Sequence, residues 1–222
     1  MQRLRLTFSR GKELKYISHL DLMRLWQRAL RRADIPLVYS QGFSPHPRLS
    51  LAAPLAVGVT SDGELMDIFL ERRVSPHFFL KTVREQLPRG IDITEVVELG
   101  MGLTSLQSQV RSAEYRVIAE SDKGLKEVEA AIRFLLSSDR LPWQHARDKE
   151  VRKYDLRTLV EDIWIIETHP SDFTIGMRLR CDSTGTGRPE QVLLALGFAD
   201  LPKSIHRTKL ILEGQARPAL RR

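Results

Sequence analysis

Residues 3–8, RLRLTF, alternate polar and apolar, the period of a strand with one buried face. Gly11 breaks that run. Ser18 and Asp21 then have the spacing of an N-cap with an acid three residues on, and Leu22, Trp26, Ala29, Leu30 and Ala33 follow at helical intervals until Pro36. The spacing predicts a helix over 18–33. Leu37–Ser40 reads as a short strand, and Gln41–Arg48, with two prolines and a glycine, as a stiff loop. Leu49–Val59 reads as a strand broken at Pro54, Glu64–Glu71 as another, Ser75–Leu87 as a helix with Pro at its first position, and Ile91–Leu99 as a closing strand.

Leaving aside the short strand 37–40, this order is β-α-β-β-α-β, the ferredoxin-like arrangement. A similar sequence of elements follows a polar stretch near 100–112. Strands are predicted at 114–120, 151–155, 164–168, 173–181 and 208–213, and helices at 124–136 and 190–196. The expected fold class is α+β, with two tandem ferredoxin-like (βαββαβ) halves. The expected organisation is a basic domain over 1–100, a linker over 101–112, a second domain over 113–216 and a basic tail over 217–222.

Charge changes the picture of the first half. Residues 1–50 hold ten Lys and Arg against three acids, an excess of seven that equals the net charge of the whole chain. A positive field concentrated in one segment favours a polyanion, since each phosphate neutralised also releases counterions. The predicted helix 18–33 carries Arg24, Arg28, Arg31 and Arg32 opposite its apolar stripe, and guanidiniums grip phosphate in a fork. The loop beyond it adds Tyr39, Phe43, His46 and Arg48. Cations interleaved with aromatics suit single-stranded RNA, with charge for the backbone and ring faces for the bases. Core packing is the competing account of Tyr39 and Phe43, and solvation that of the arginines.

His19 and His46 offer an alternative, a metal-independent RNA cleavage with one imidazole as base and the other as acid. No two histidines share metal-ligand spacing, and neither a metal nor a cofactor is expected. Gly185-Thr186-Gly187-Arg188-Pro189, before a predicted helix, is a possible phosphate turn through Gly185, Gly187 and Arg188, or a plain helix entry. It lacks the ending of a P-loop. Tyr154-Asp155-Leu156-Arg157 reads as a local salt bridge. The one cysteine, Cys181, excludes an internal disulfide and a self-contained iron–sulfur cluster. No stretch approaches the apolar length of a membrane helix, and the opening MQRLRLTFSR has no apolar signal core. The expected location is the cytoplasm.

The motifs Ser18-His19-Leu20-Asp21-Leu22-Met23-Arg24 and Gln41-Gly42-Phe43-Ser44-Pro45-His46-Pro47, with the later YDLR and GTGRPEQVL segments, resemble the DUF2344 family. Its members are also called radical SAM-associated or radical SAM-linked proteins. The resemblance runs over nearly the whole chain, and its motif positions include Ser18, His19, Asp21, Gln41, Gly42, Phe43, Pro45, His46 and Pro47. It implies an accessory role beside a cobalamin-binding radical SAM enzyme, to which some members are fused. The genomic setting of the family, near ribosomal proteins and an E/G-type ribonuclease, implies tRNA or rRNA modification. Without a cysteine trio, this chain would need that enzyme in trans. The expected function is a non-catalytic RNA-binding adaptor. The alternatives are a protein–protein scaffold for the same enzyme and the His19/His46 endoribonuclease. In architecture, tandem ferredoxin-like halves are similar to CRISPR repeat-processing endoribonucleases.

Overall fold

The computed structural model describes residues 1–147 and 150–214. The tail expected at Arg217–Arg222, and the last residues of the expected second domain, lie outside the described residues. The protein is mixed α/β, with mostly antiparallel strands and five α-helices among the described residues. The chain divides into two compact units. The first takes Met1–Gln109 with His206–Lys209, and the second takes Val110–Ile205 and the residues from Leu210.

In the first unit, β1 (Gln2–Arg10) shows the alternation read from sequence, with Leu4, Leu6 and Phe8 fully buried. Ser18 caps α1 (His19–Arg32) by accepting the amide of Asp21 at 3.1 Å. Leu22, Trp26 and Leu30 then pack on the strand, with the Trp26 ring edge-on to Phe8 at 4.9 Å. The helix ends at Ala33, and Asp34 takes a positive φ of 51° before Pro36. The next stretch differs from expectation. Leu37–Ser40 is no strand but touches its neighbours at two isolated bridges, Leu37 to Leu70 and Tyr39 to Pro47. Likewise β2 is only Leu49–Leu51, because the chain leaves the sheet ahead of Pro54, which has no amide to donate.

β3 (Thr60–Leu70) starts four residues earlier than its apolar pattern indicated. α2 (Pro76–Arg84) is capped by Ser75 and buries Phe79 and Val83, and β4 (Ile91–Leu99) closes the unit. The strand order is β4-β1-β3-β2, every pair antiparallel. Phe79, Val83 and the apolar stripe of α1 share one cluster with Leu4, Leu6, Phe8, Met66 and Ile68, so both helices cover the same face. His206 and Arg207 pair in parallel with Thr60 and Ser61 at the start of β3.

Residues 101–112, expected as a linker, carry a helical turn α3 (Leu106–Gln109) and the first residues of β5 (Val110–Glu120). Leu106 and Val110 are buried there. In the second unit α4 (Leu125–Ser137) follows β5, burying Val128, Ile132 and Leu135. β6 (Pro142–Arg147) and β7 (Glu150–Asp155) form a separate two-stranded sheet, and β6 was not expected from the pattern. A 3-10 turn, Leu156–Leu159, leads into β8 (Val160–Thr168), which pairs with β9 (Asp172–Asp182). β9 also pairs with β5, and the short β10 (Gly185–Thr186) with the end of β9. α5 (Pro189–Ala195) and β11 (Ser204–Leu212) complete the chain. Gly176 on β9 is required by packing, since a Cβ there would sit 2.1 Å from the ring of Trp164 on β8.

Candidate nucleic-acid interface

The outward face of α1 is a row of cations. Arg24, Arg28, Arg31 and Arg32 are all exposed, and Arg24 pairs with Asp21 at 3.3 Å. Arg28, Arg31 and Arg32 hold no ion pair among the described residues. Their position in the second half of the helix suits them, because cations near a helix C-terminus complement its dipole. Ser18 and Asp21 serve the helix itself. The Ser18 hydroxyl donates to the Asp21 carboxylate at 2.7 Å, and that bond, seconded by Arg24, holds the carboxyl below its usual range.

The loop that follows is closed at its base by three hydrogen bonds. The Ser40 amide donates to the His46 carbonyl at 2.8 Å, the His46 amide to the Ser40 hydroxyl at 3.0 Å, and the Arg48 amide to the Val38 carbonyl at 2.8 Å. Gln41, Gly42, Phe43, Ser44 and Pro45 make the tip, with Gly42 at a φ of 129° that a side chain rarely adopts. The Phe43 ring is fully exposed, Tyr39 is partly so, and His46 faces solvent beside Pro47. Core packing therefore does not account for Phe43. The Arg48 guanidinium lies 4.3 Å from the centroid of Phe69, whose ring also meets Arg3 at 5.6 Å. These groups line a cavity of about 400 Å³ with Leu49, Ser50, Met101, Leu103 and Ser105.

Three of the ten cations in residues 1–50 contribute little to this field. Arg3 and Arg5 both bind Asp67, which is fully buried on the sheet face opposite the helices, at 2.5 and 2.7 Å. Arg3 also donates to the carbonyls of Leu103 and Thr104. Arg10 is 1% exposed and donates to the carbonyls of Leu14, Lys15 and Ile17. Burial lowers its pKa, although the carboxylate of Glu64 opposes that shift. Glu64 itself is paired with Arg207 in full burial. Alternation alone marked Arg3 and Arg5 as solvent-facing. The segment 103–109 covers them, and nothing in the strand's own pattern shows that cover.

His19 opens α1, and His46 belongs to the loop beyond its other end; the helix between them is about 21 Å long at 1.5 Å per residue.

The turn at Gly185–Arg188 also departs from the cradle read from sequence. The Gly185 amide donates to Asp182 at 3.2 Å and the Gly187 amide to the Arg180 carbonyl at 2.9 Å, so both are spent internally. Both glycines are there for close packing, since a Cβ at either would come within 2.8 Å of Leu159. The side chains of Asp155 and Arg157 form no ion pair with each other. Asp155 accepts the amides of Leu141 and Arg157, and Arg157 donates to the carbonyls of Val160 and Leu136.

The fold and this surface define a mixed α/β protein with a cationic helix face and an adjoining aromatic loop. Residues 3–189 match the family model described as an uncharacterized protein conserved in bacteria, DUF2344, and the chain belongs to that family. A search of the curated proteins returned no match. Among solved structures, the chain is similar to one in a Cbf5-Nop10-Gar1 complex, at 11% identity and a TM-score of 0.52. That alignment covers 94% of this chain and 48% of the other, so the protein spans about half of its neighbour's length. A chain of the archaeal box H/ACA sRNP Nop10-Cbf5 complex is matched at 12% identity and a TM-score of 0.48, over 95% of this chain and 48% of that one. At 11% identity the first of these likenesses concerns the fold alone. No helix among the described residues is long and apolar enough to cross a membrane.

Proposed function

We propose that the protein is a non-catalytic RNA-binding adaptor that presents tRNA or rRNA to a radical SAM enzyme acting in trans. One observation carries the reading: among the described residues, Arg28, Arg31 and Arg32 lack acidic partners at the end of α1 from which the loop bearing fully exposed Phe43 departs. Guanidiniums without partners are available to phosphates, and an exposed ring on a stiff loop is available to a base. Arg48 stacked on Phe69 adds a cation and a ring beside the same loop. The enzyme partner, cobalamin-dependent by family resemblance, and the cytoplasmic location belong to the same reading.

We also read both units as ferredoxin-like halves. The order β4-β1-β3-β2 supports this in the first, and β8-β9-β5 with β11 next to β5 supports it in the second. The scaffold reading keeps one specific support, since a fully exposed Phe43 would equally suit a protein pocket.

The test is binding of labelled tRNA and rRNA fragments across a salt series, for the wild type, Arg28/Arg31/Arg32→Ala and Phe43→Ala. The expected result is a steep salt dependence in the wild type, a shallower slope in the arginine variant, and weaker binding with an unchanged slope in Phe43→Ala. Absence of binding at low salt would overturn the RNA reading and move the arginine face to an acidic protein partner.

A further inference from the structure

The cavity of about 400 Å³ beside Arg48 lies within the first unit, on the sheet face opposite the helices. Phe69 on β3 stands across from Arg3 on β1, and Arg48 reaches the same ring from the foot of the loop that bears Phe43. The rest of the lining comes from the segment 101–105, where Met101 and Leu103 are exposed. That segment is tied to the sheet from two sides. Arg3 donates to the carbonyls of Leu103 at 2.7 Å and Thr104 at 2.9 Å. Gln107 accepts the Ser50 hydroxyl at 2.9 Å and donates to the Leu51 carbonyl at 2.8 Å. Walls pinned in this way are set before any ligand arrives, which lowers the cost of binding one.

The lining groups divide by what they have left to offer. Arg3 is closed on Asp67 and two carbonyls, the Ser50 hydroxyl is given to Gln107, and the Ser105 hydroxyl donates to Ser108 at 3.0 Å. Arg48 differs. It is exposed, its guanidinium stands 4.3 Å from the Phe69 centroid, and it holds no ion pair among the described residues. The cavity therefore presents a cationic plane, a half-buried ring, a thioether and alkyl surface. Stacking on such surfaces tolerates any base, because every base has a π face.

We propose that this cavity takes one unstacked base of a single-stranded RNA segment, whatever its identity, against the Arg48–Phe69 stack. The proposal rests on the RNA reading and names the class of RNA that satisfies it. A base inside a duplex is stacked on both faces and paired at its edge, so an unpaired loop or end supplies one without the cost of extrusion. The volume suits a base with its ribose, at the small end of ligand pockets. Charge favours RNA over an apolar side chain of a protein. Arg48 lacks a carboxylate partner among the described residues, and its loop follows the cationic helix α1, so phosphates flanking the base meet a positive field.

The test is binding of labelled oligomers of about ten nucleotides, a length such sites span: oligouridine, oligoadenine, an abasic ribose-phosphate strand and an RNA duplex. The wild type should bind the two base-bearing strands with similar affinity, each about tenfold or more tightly than the abasic strand or the duplex. Arg48→Lys keeps the charge and loses the plane. It should cut the advantage of bases over the abasic strand by about fivefold or more, with abasic binding and its salt slope unchanged. Met101→Ala/Leu103→Ala should act alike from the other lining, with unchanged thermal unfolding because both side chains are exposed. Arg28/Arg31/Arg32→Ala should weaken every strand and leave the advantage of bases intact. Equal binding of base-bearing and abasic strands, or of single strand and duplex, would overturn the inference and leave the RNA reading standing. Absence of binding by any strand at low salt would overturn both. Full base dependence in both Arg48→Lys and Met101→Ala/Leu103→Ala would also overturn the inference and leave the cavity to an apolar side chain of a protein.

Discussion

Asp67 shows how much one buried carboxylate can organise. It has no exposed surface, and the guanidiniums of Arg3 and Arg5 both close on it. Removing one partner of such a cluster strands the others without water. Asp67→Ala is expected to destabilise the protein by about 3–5 kcal/mol, read from the midpoint of urea unfolding. Asp182 works through local bonds. Burial pushes its carboxyl up, but hydrogen bonds from Thr184 and Arg180 outweigh that and bring it from 3.8 to about 2. The folded pKa lies below the unfolded one, so its contribution is complete above about 3.8 and is lost as pH falls from there through about 2. The gap in melting temperature between wild type and Asp182→Asn should therefore narrow as pH drops from 5 to 2. A gap independent of pH would show that the carboxylate contributes nothing.

At the scale of elements, α1 joins stability to the proposed function. Its stripe of Leu22, Trp26 and Leu30 anchors it to the sheet, and that anchoring turns the arginines outward. The cap is the weak point, since Ser18 meets the amide and the carboxylate of Asp21 together. Ser18→Ala should cost about 1 kcal/mol and fray the first turn, visible as faster amide exchange at Leu20–Leu22. RNA affinity should change little, because the cations lie in later turns. Ser18 and Asp21 thus have a local structural task, whereas the Phe43 ring is fully exposed.

For the molecule as a whole, the first unit depends on residues from the far end of the sequence. Arg207 neutralises Glu64 at full burial and also donates to the Ala53 carbonyl. A fragment of residues 1–109 would bury Glu64 without that partner. It is expected to unfold at markedly lower urea than the intact chain, and Glu64→Gln within the fragment should recover part of the loss, since an amide needs no counterion. A fragment as stable as the full chain would show that the 206–209 segment is dispensable to the first unit.

Much of this architecture was legible in the order of residues. Alternation located β1 and β9, and the apolar stripe with its Ser18 cap located α1, because these signals are local and repeat over many residues. The cationic face of α1 was legible for the same reason. Short elements were not. Leu37–Ser40 has strand composition but meets only isolated bridges, and β6 forms only because β7 lies opposite it. The tertiary structure alone decided which charges face water. Arg3, Arg5 and Arg10 are chemically indistinguishable from Arg28, Arg31 and Arg32 in sequence. Partners 60 residues and more away bury Arg3 and Arg5, and the carbonyls of the turn that follows β1 enclose Arg10. It likewise gathered Arg152, Lys153 and Arg188 around one cavity. Burial and convergence depend on contacts distant in the chain, and no local pattern encodes those.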